Sequence, residues 1–181
     1  SSVLDIGCGT GRTTIDIAKS LGADGKATGL DISEPMLEKA KMLARSEEVE
    51  NIGFACVDVQ VESLGNVVFD AAFSRFGVMF FEDPMEAFSN IHNALSTTGA
   101  LSFVCWQSPA VNPWHALSME IVTEYIDIPK PPPRSPSPFA FQERDYVEEI
   151  LVNAGFRNIE IQSLEKKIVW FNGKDSNCAA S

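Results

Sequence analysis

A glycine-rich turn near the amino end of the chain places the strongest constraint on its fold. The turn follows a short apolar run at residues 3–6 and reads, in order, Asp5, Ile6, Gly7, Cys8, Gly9, Thr10 and Gly11. The apolar run has the length and the flanks of a buried strand. Residues 12–21 carry apolar side chains at helical spacing, and Gly22 can end that helix. The turn therefore offers bare backbone and a helix N-terminus to an anionic part of a ligand.

The same alternation of strand and helix continues along the chain. Strands are predicted at residues 26–30, 52–57, 68–73 and 99–106, with one helix capped by Ser33 and another beginning at Pro84. Five strands joined by helices indicate an α/β fold, a doubly wound, mostly parallel, Rossmann-like sheet flanked by helices.

The alternation breaks after residue 106. Residues 107–142 are predicted to form a lid-like insertion, with a helix at 114–126 and six of the ten prolines at 129–138. The pattern then resumes with a helix at 145–154 and a strand at 158–161. Residues 166–171 either continue that strand or return as an antiparallel partner. We therefore interpret residues 1–181 as a single domain.

Composition restricts the classes of partner. A formal net charge of −11 opposes binding to a phosphate backbone, so a nucleic acid substrate is not expected. No apolar run has the length of a membrane span. The cysteines have no metal-binding spacing, and we predict no metal site and reduced thiols in a cytoplasmic protein; they are Cys8, Cys56, Cys105 and Cys178.

A nicotinamide-binding domain also uses a glycine turn, but its fingerprint fits less well. The third glycine of that fingerprint would stand at position 12, which is Arg12. A second signal is Asp31, which ends the second predicted strand twenty positions beyond Gly11. An acid at this spacing can accept hydrogen bonds from both hydroxyls of a ribose. The two signals together favour a ligand that contains a nucleoside.

Several segments resemble the class I S-adenosylmethionine-dependent methyltransferases, and the small-molecule "methyltransferase domain" type most of all. Residues 3–11 resemble motif I of that family, residues 69–77 its strand-four motif, and residues 95–101 its turn into strand five. Thr97 and Thr98 stand where the family usually has Pro and Gly. The resemblance covers roughly residues 3–170. It implies that the chain binds S-adenosylmethionine and transfers the methyl group to a small-molecule acceptor by in-line displacement.

The resemblance also implies which residues hold the cofactor. Residues 7–11 and the carbonyls around residues 74–75 would hold the methionine end, whose amine Asp5 would orient. Asp31 would bind the ribose, Asp58 the adenine amine, and Ile32 and Met36 would pack on the adenosine, although Met36 fits the helix core equally well. The implied set is Asp5, Gly7, Cys8, Gly9, Thr10, Gly11, Asp31, Ile32, Met36, Asp58, Val59, Ser74, Arg75 and Phe76.

The methyl acceptor is expected over the carboxyl ends of strands four and five, where open α/β sheets bind ligands. The side chains near that edge in sequence are Phe76, Met79, Phe80, Trp106 and Trp114. Phe80 and Phe81 are expected mainly to fill the core. His115 is the one candidate general base, and Arg75 is a candidate for holding an acidic acceptor.

Two other functions remain open at this point: a non-catalytic sensor or subunit that binds S-adenosylmethionine, and an NAD-dependent oxidoreductase. The chain starts inside a strand and ends in a polar run, so we expect a fragment whose sheet is incomplete at both ends. Such a chain would expose apolar surface near Phe76, Trp106 and Trp114. It would either form a homodimer or be less stable.

Overall fold

A five-stranded parallel sheet forms the centre of the fold in a computed structural model, which describes residues 1–64, 68–129 and 132–166. The strands are β1 (Ser2–Ile6), β2 (Lys26–Asp31), β3 (Ile52–Cys56), β4 (Phe69–Arg75) and β5 (Leu95–Val104). The helices are α1 (Arg12–Leu21), α2 (Glu34–Ser46), α3 (Pro84–Ala94), α4 (Pro113–Thr123) and α5 (Arg144–Asn153).

The strand order is β3-β2-β1-β4-β5, and each of the four pairings is parallel. The winding direction changes between β1 and β4, which creates a crevice at the carboxyl ends of these strands. The predicted doubly wound α/β fold is confirmed, and the glycine turn lies at this crevice.

Helices pack on both faces of the sheet because each carries one apolar stripe. Leu4 and Ile6 of β1 pack in one cluster with Phe88 and Ile91 of α3 and with Ile150 of α5. On the other face, α1 and α2 bury Ile15, Ala18, Leu37 and Ala40. Each large buried side chain contributes roughly 1.5–3 kcal/mol. The sheet therefore holds the loops at its carboxyl edge on a rigid base.

Strand β5 begins earlier and ends earlier than predicted. Phe69 pairs with Leu95, and the next registered pair is Ala71 with Ala100. Residues 96–99 of β5 therefore have no registered partner in β4, and the register of the pair shifts at this point. The predicted start at residue 99 was wrong because Leu95 already pairs with β4, while the predicted turn corresponds to this irregularity.

The strand predicted at residues 158–161 is absent, since these residues adopt no regular structure. Ile159 and Ile161 pack against the core cluster, and the Arg144 guanidinium donates to the Ile161 carbonyl. Alternating apolar side chains thus reach the core from an irregular segment. Of the predicted segment 166–171, all but Lys166 lies outside the described residues, as does the polar tail at 172–181.

The predicted insertion holds α4, which covers less surface than the other helices. None of its residues is buried, and Leu117 and Ile121 are more than half exposed. Phe76, Trp106 and Trp114 are themselves half-buried, whereas Phe80, Val104 and Val111, close to them in sequence, are exposed. Among the helices of the described residues, none is long and apolar enough to cross a membrane.

Candidate functional site

The glycines of the turn have different structural roles. Gly7 and Gly9 have positive φ angles of 66° and 55°. A Cβ atom on Gly7 would lie 2.8 Å from the Gly77 Cα, whereas one on Gly9 would meet only the Met36 Cε at 3.4 Å. Gly7 is therefore required for the close approach of two loops, while Gly9 leaves bare backbone facing a cavity.

That cavity is the candidate site, an open cleft of about 210 Å³ between the glycine turn, α2 and the end of β4. Its wall is formed by Asp5, Gly7, Cys8, Gly9, Thr10, Arg12, Thr13, Met36 and Arg75. Sequence reasoning missed two members of this wall, Arg12 and Thr13. They open α1, so the helical pattern that directly follows the turn is a signal that could have identified them.

Asp5 is a buried acid in the wall of the cavity. Its side chain is 1% exposed, and its carboxylate accepts a hydrogen bond from the Thr14 hydroxyl at 2.6 Å. Burial raises the pKa of Asp5 to about 6, opposed by the Thr14 hydrogen bond and the charge of Arg75, and assisted by the charge of Asp31. A cation beside Asp5 would therefore stabilise its charged form. No motif in the sequence indicates this hydrogen bond from Thr14.

The Cys8 thiol is unreactive although it lies in the wall of the cavity. Burial raises its pKa to about 12, and the charges of Asp5 and Asp31 act in the same direction. Cys8 is therefore a neutral thiol near pH 7 and not a nucleophile.

Asp31 lies at the end of β2, directly beside the glycine turn. Its two carboxylate oxygens accept hydrogen bonds from the backbone N–H groups of Gly9, at 2.8 Å, and Ser33, at 2.9 Å. Ser33 occupies the N-cap position of α2, but its hydroxyl makes no capping hydrogen bond. The predicted position of the N-cap residue is therefore confirmed, but the predicted capping by the Ser33 side chain was wrong.

The turn after β3 is fixed to the start of α3 by an amide side chain. Gln60 donates from its backbone and side-chain nitrogens to Asp58, at 3.0 and 3.1 Å. Its side-chain oxygen accepts from the backbone N–H groups of Glu82 and Asp83. Val59 is buried in the core, so only its backbone can face a ligand. Gln60 belongs to no motif, and the sequence offered no signal for it.

The end of β4 uses its side chains in three different ways. The buried Ser74 hydroxyl donates to the Ile6 carbonyl at 2.7 Å, which leaves only the backbone of Ser74 for a ligand. Arg75 is exposed and lines the cavity. Phe76 has a φ of 61°, unusual for a bulky residue, and its ring stacks on Trp106 with centroids 4.5 Å apart.

The rim of the site carries apolar side chains that the core does not use. Ile32 is 70% exposed and Met36 is 42% exposed. The alternative that Met36 belongs to the helix core was therefore wrong. Gly11 does not line the cavity. It faces α2 instead, where a Cβ atom on Gly11 would lie 2.6 Å from the Ala40 Cβ. Its position is fixed by the contact between α1 and α2.

An aromatic cluster continues from Phe76 away from the cavity. The rings of Trp106 and Trp114 are 5.2 Å apart, and the His115 ring lies edge-on to Phe139 at 4.6 Å. Within the described parts of the chain the His115 imidazole lies edge-on to the Trp114 and Phe139 rings and forms no ion pair, so no acid orients it as a base. The aromatic cluster, as we use the term, consists of Phe76, Trp106, Trp114, His115 and Phe139.

Two predictions for the acceptor edge were wrong. Met79 is fully buried among the core residues, whereas Phe80, expected to fill the core, is 51% exposed. The short 3₁₀ turn at Val78–Phe80 rotates these side chains by an amount that sequence spacing does not specify. No group of metal-binding side chains occurs among residues 1–64, 68–129 and 132–166.

Comparisons with known proteins identify relatives of this chain. Residues 3–99 match the family described as "Methyltransferase domain". An "O-methyltransferase" of Pyrenophora dematioidea is 27% identical over 92% of this chain and 58% of its own length. A "Demethylmenaquinone methyltransferase" of Lactococcus lactis subsp. lactis (strain IL1403) is 35% identical over 54% of this chain and 39% of its own length. The chain thus spans about half the length of these two curated relatives.

A solved structure shares the fold over most of the described chain. It is a "SAM dependent methyltransferase" from Aquifex aeolicus, superimposed with a TM-score of 0.64 over 86% of this chain and 72% of that one. The two sequences are 20% identical, so the likeness concerns the fold alone.

Proposed function

Because the chain belongs to the methyltransferase domain family, we propose that it binds S-adenosylmethionine at the glycine turn and transfers the methyl group to a small-molecule acceptor. One observation carries the proposal: the cavity is floored by the bare backbone of Gly9, with the buried Asp5 in its wall. Asp31 lies next to this floor, hydrogen-bonded to the Gly9 N–H. Acidic groups on both sides of an exposed backbone suit a ligand with an ammonium group and a ribose.

Each part of the cofactor has a candidate partner in this arrangement. Asp5 is proposed to orient the amine, and the carbonyls of residues 74–75 to accept from it. Asp31 is proposed to bind the ribose hydroxyls, and Asp58 to accept from the adenine amine. The exposed apolar side chains of Ile32 and Met36 support packing against the adenosine. Cys8, Thr10, Gly11, Val59 and Phe76 are proposed to contribute through backbone or packing.

The cofactor supplies an activated methyl group on a sulfonium when it is bound. The chain then has to hold the donor and the acceptor in line, and positioning of this kind can provide much of the rate. The acceptor is proposed to lie over the carboxyl ends of β4 and β5, beside the aromatic cluster, where aromatic faces favour a cationic or apolar group. The Lactococcus lactis relative is a demethylmenaquinone methyltransferase, which supports a small-molecule acceptor here as well. A cytoplasmic location and the exclusion of nucleic acid stay predictions.

Calorimetry on the purified chain tests the cofactor. S-adenosylmethionine and S-adenosylhomocysteine are expected to bind with dissociation constants on the order of micromolar, which corresponds to a binding free energy of about −8 kcal/mol. NAD is expected to bind far more weakly. Tighter binding of NAD would replace this proposal with an oxidoreductase.

Turnover is tested separately with radiolabelled S-adenosylmethionine and a mixture of small phenols, amines and carbon acids. Transfer of label to an acceptor supports an enzyme. Tight cofactor binding without transfer to any acceptor would support the sensor or subunit instead.

A further inference from the structure

Two arginines line the cavity, and their surroundings differ. The Arg12 guanidinium contacts the Glu47 carboxylate at 2.5 Å and the Asp16 carboxylate at 2.8 Å. The hydrogen bonds from Arg12 and Lys19 lower the pKa of Glu47 to about 2, so this network is fully ionised near pH 7. Arg12 is therefore committed to holding α1 against the end of α2.

The Arg75 guanidinium is not held by acidic side chains in this way. Within the described parts of the chain it takes part in no ion pair and no side-chain hydrogen bond. Its side chain is exposed on the cavity wall, in a protein whose net charge is −11. Acidic side chains are abundant here, yet Arg75 forms an ion pair with none of them among the described residues, and its charge acts at longer range on the Asp5 carboxyl in the same cavity wall.

The sheet places Arg75 and Asp5 on one face. Asp5 pairs in register with Phe73, and Arg75 follows two residues later on the same face of β4. Both residues line the cavity, and the charge of Arg75 acts on the carboxyl of Asp5. The cavity wall thus carries one buried acid and one guanidinium cation that forms no ion pair with the described residues, with the Gly9 backbone in the cavity floor.

We propose that the Arg75 guanidinium binds the carboxylate of the donor's amino-acid end while Asp5 faces its ammonium group, so that the cavity selects ligands with a zwitterionic amino acid. This inference rests on the proposed function and assigns to the Arg75 side chain a role that the proposed function leaves unassigned. A guanidinium presents a planar fork of donors that matches a carboxylate. The N-terminal end of α1 adds positive potential at the same place.

The experiment compares two ligands that differ only by the carboxylate: S-adenosylmethionine and decarboxylated S-adenosylmethionine. Their dissociation constants are measured by calorimetry for the unmodified chain, Arg75→Gln and Arg75→Lys. Arg157→Gln is the matched control, because it removes the same charge from an exposed position that does not line the cavity. Circular dichroism and thermal unfolding verify that each variant is folded.

The Arg75→Gln variant is expected to bind S-adenosylmethionine roughly 10- to 100-fold more weakly, as for the loss of a charge-assisted hydrogen bond. Its affinity for the decarboxylated ligand is expected to change by less than about threefold, because no carboxylate is present to lose a partner. Arg75→Lys is expected to fall between the two, since it keeps the charge and loses the fork. Arg157→Gln is expected to match the unmodified chain for both ligands.

Equal weakening of both ligands by Arg75→Gln would overturn the inference and leave the proposed function standing. The unmodified chain provides a test that needs no variant. If it binds both ligands with equal affinity, no cation of the chain binds the carboxylate and the inference is wrong. If the unmodified chain binds neither S-adenosylmethionine nor S-adenosylhomocysteine, the proposed function itself is overturned, and this inference with it.

Discussion

The carboxylate of Asp31 accepts a hydrogen bond from the backbone N–H of Gly9 at 2.8 Å, which ties the end of β2 to the middle of the glycine turn. The two residues are 22 positions apart in sequence. The contact means that the proposed ribose-binding acid also shapes the loop that floors the cavity. Removal of Asp31 is therefore expected to affect both the ligand and the loop.

Asp31→Ala is expected to weaken the binding of S-adenosylhomocysteine by ~2–4 kcal/mol, since hydrogen bonds to a charged acceptor contribute about 1.5–3 kcal/mol each. Asp31→Asn keeps an acceptor for the Gly9 N–H and is expected to lose less. Asp24→Ala removes an acid from an exposed turn and serves as the control for net charge. Calorimetry measures all three, and a loss for Asp31→Ala no larger than that for Asp24→Ala would move the ribose elsewhere.

Alanine substitutions at three glycines are expected to separate backbone strain, packing and ligand space. Gly7, Gly9 and Gly22 all have positive φ angles, so an alanine at each of them is strained. Gly22, at φ 69° and ψ −172°, lies in a region that is nearly restricted to glycine, where the strain is on the order of 1–3 kcal/mol. A Cβ atom at Gly22 meets nothing within 4 Å, so that variant measures strain alone. Gly7→Ala is expected to cost about 1–3 kcal/mol more, because its Cβ meets the Gly77 backbone at 2.8 Å.

Gly9→Ala is expected to destabilise the fold by no more than Gly22→Ala but to bind S-adenosylhomocysteine at least about tenfold more weakly, because its Cβ occupies ligand space. The free energy of unfolding comes from urea titration, and the affinity comes from calorimetry. Unchanged affinity in Gly9→Ala would show that the ligand does not lie against this backbone.

Asp5→Asn is expected to stabilise the fold near pH 7 and to weaken binding of the cofactor. The pKa of Asp5 rises from 3.8 to about 6 on folding, so the native state holds more protons than the unfolded state between these values. The free energy of unfolding therefore falls as pH rises from about 4 to 6, by up to about 3 kcal/mol, and stays lower above that window. Asparagine does not titrate, so the free energy of unfolding of the Asp5→Asn variant lacks this decrease with pH.

The measurement for Asp5→Asn is thermal and urea unfolding from pH 4 to pH 8, in parallel with the unmodified chain. The two curves are expected to diverge above pH 4 and to run parallel above pH 6. Parallel curves over the whole range would mean that Asp5 titrates at its usual pKa. Stabilisation without loss of affinity would separate Asp5 from the amine of the cofactor.

Thr14→Val is expected to destabilise the fold at pH 7 by about 1–3 kcal/mol, because it leaves the buried Asp5 carboxylate without its hydroxyl donor. It is also expected to raise the pKa of Asp5, since that hydrogen bond favours the charged form. Thr14→Ser keeps the hydroxyl and is the matched control. Urea unfolding at pH 4 and pH 7 measures the difference, and an equal loss for Val and Ser would assign the effect to packing alone.

The sequence by itself determined the succession of the five strands and their helices along the chain, the glycine turn, and the position of Asp31 at the end of β2. These features depend on local information: apolar periodicity, helix-stop residues and the spacing of a turn and an acid along one βαβ unit. Residues close in sequence produced them, so they could be predicted without knowledge of the packing. The same reasoning failed at residues 158–161, where apolar alternation served contacts with the core instead of a strand.

Only the tertiary structure decided which groups meet at the cavity. Arg12 is held by Glu47 from 35 positions away, and Arg75 is left unpaired among the described residues. Gln60 reaches Glu82 and Asp83 at the start of α3, and Gly7 is fixed by Gly77. Such contacts depend on the register of the strands and on how the helices pack across the sheet. Residues distant in sequence become neighbours only in the folded chain, and no local pattern specifies which of them will meet.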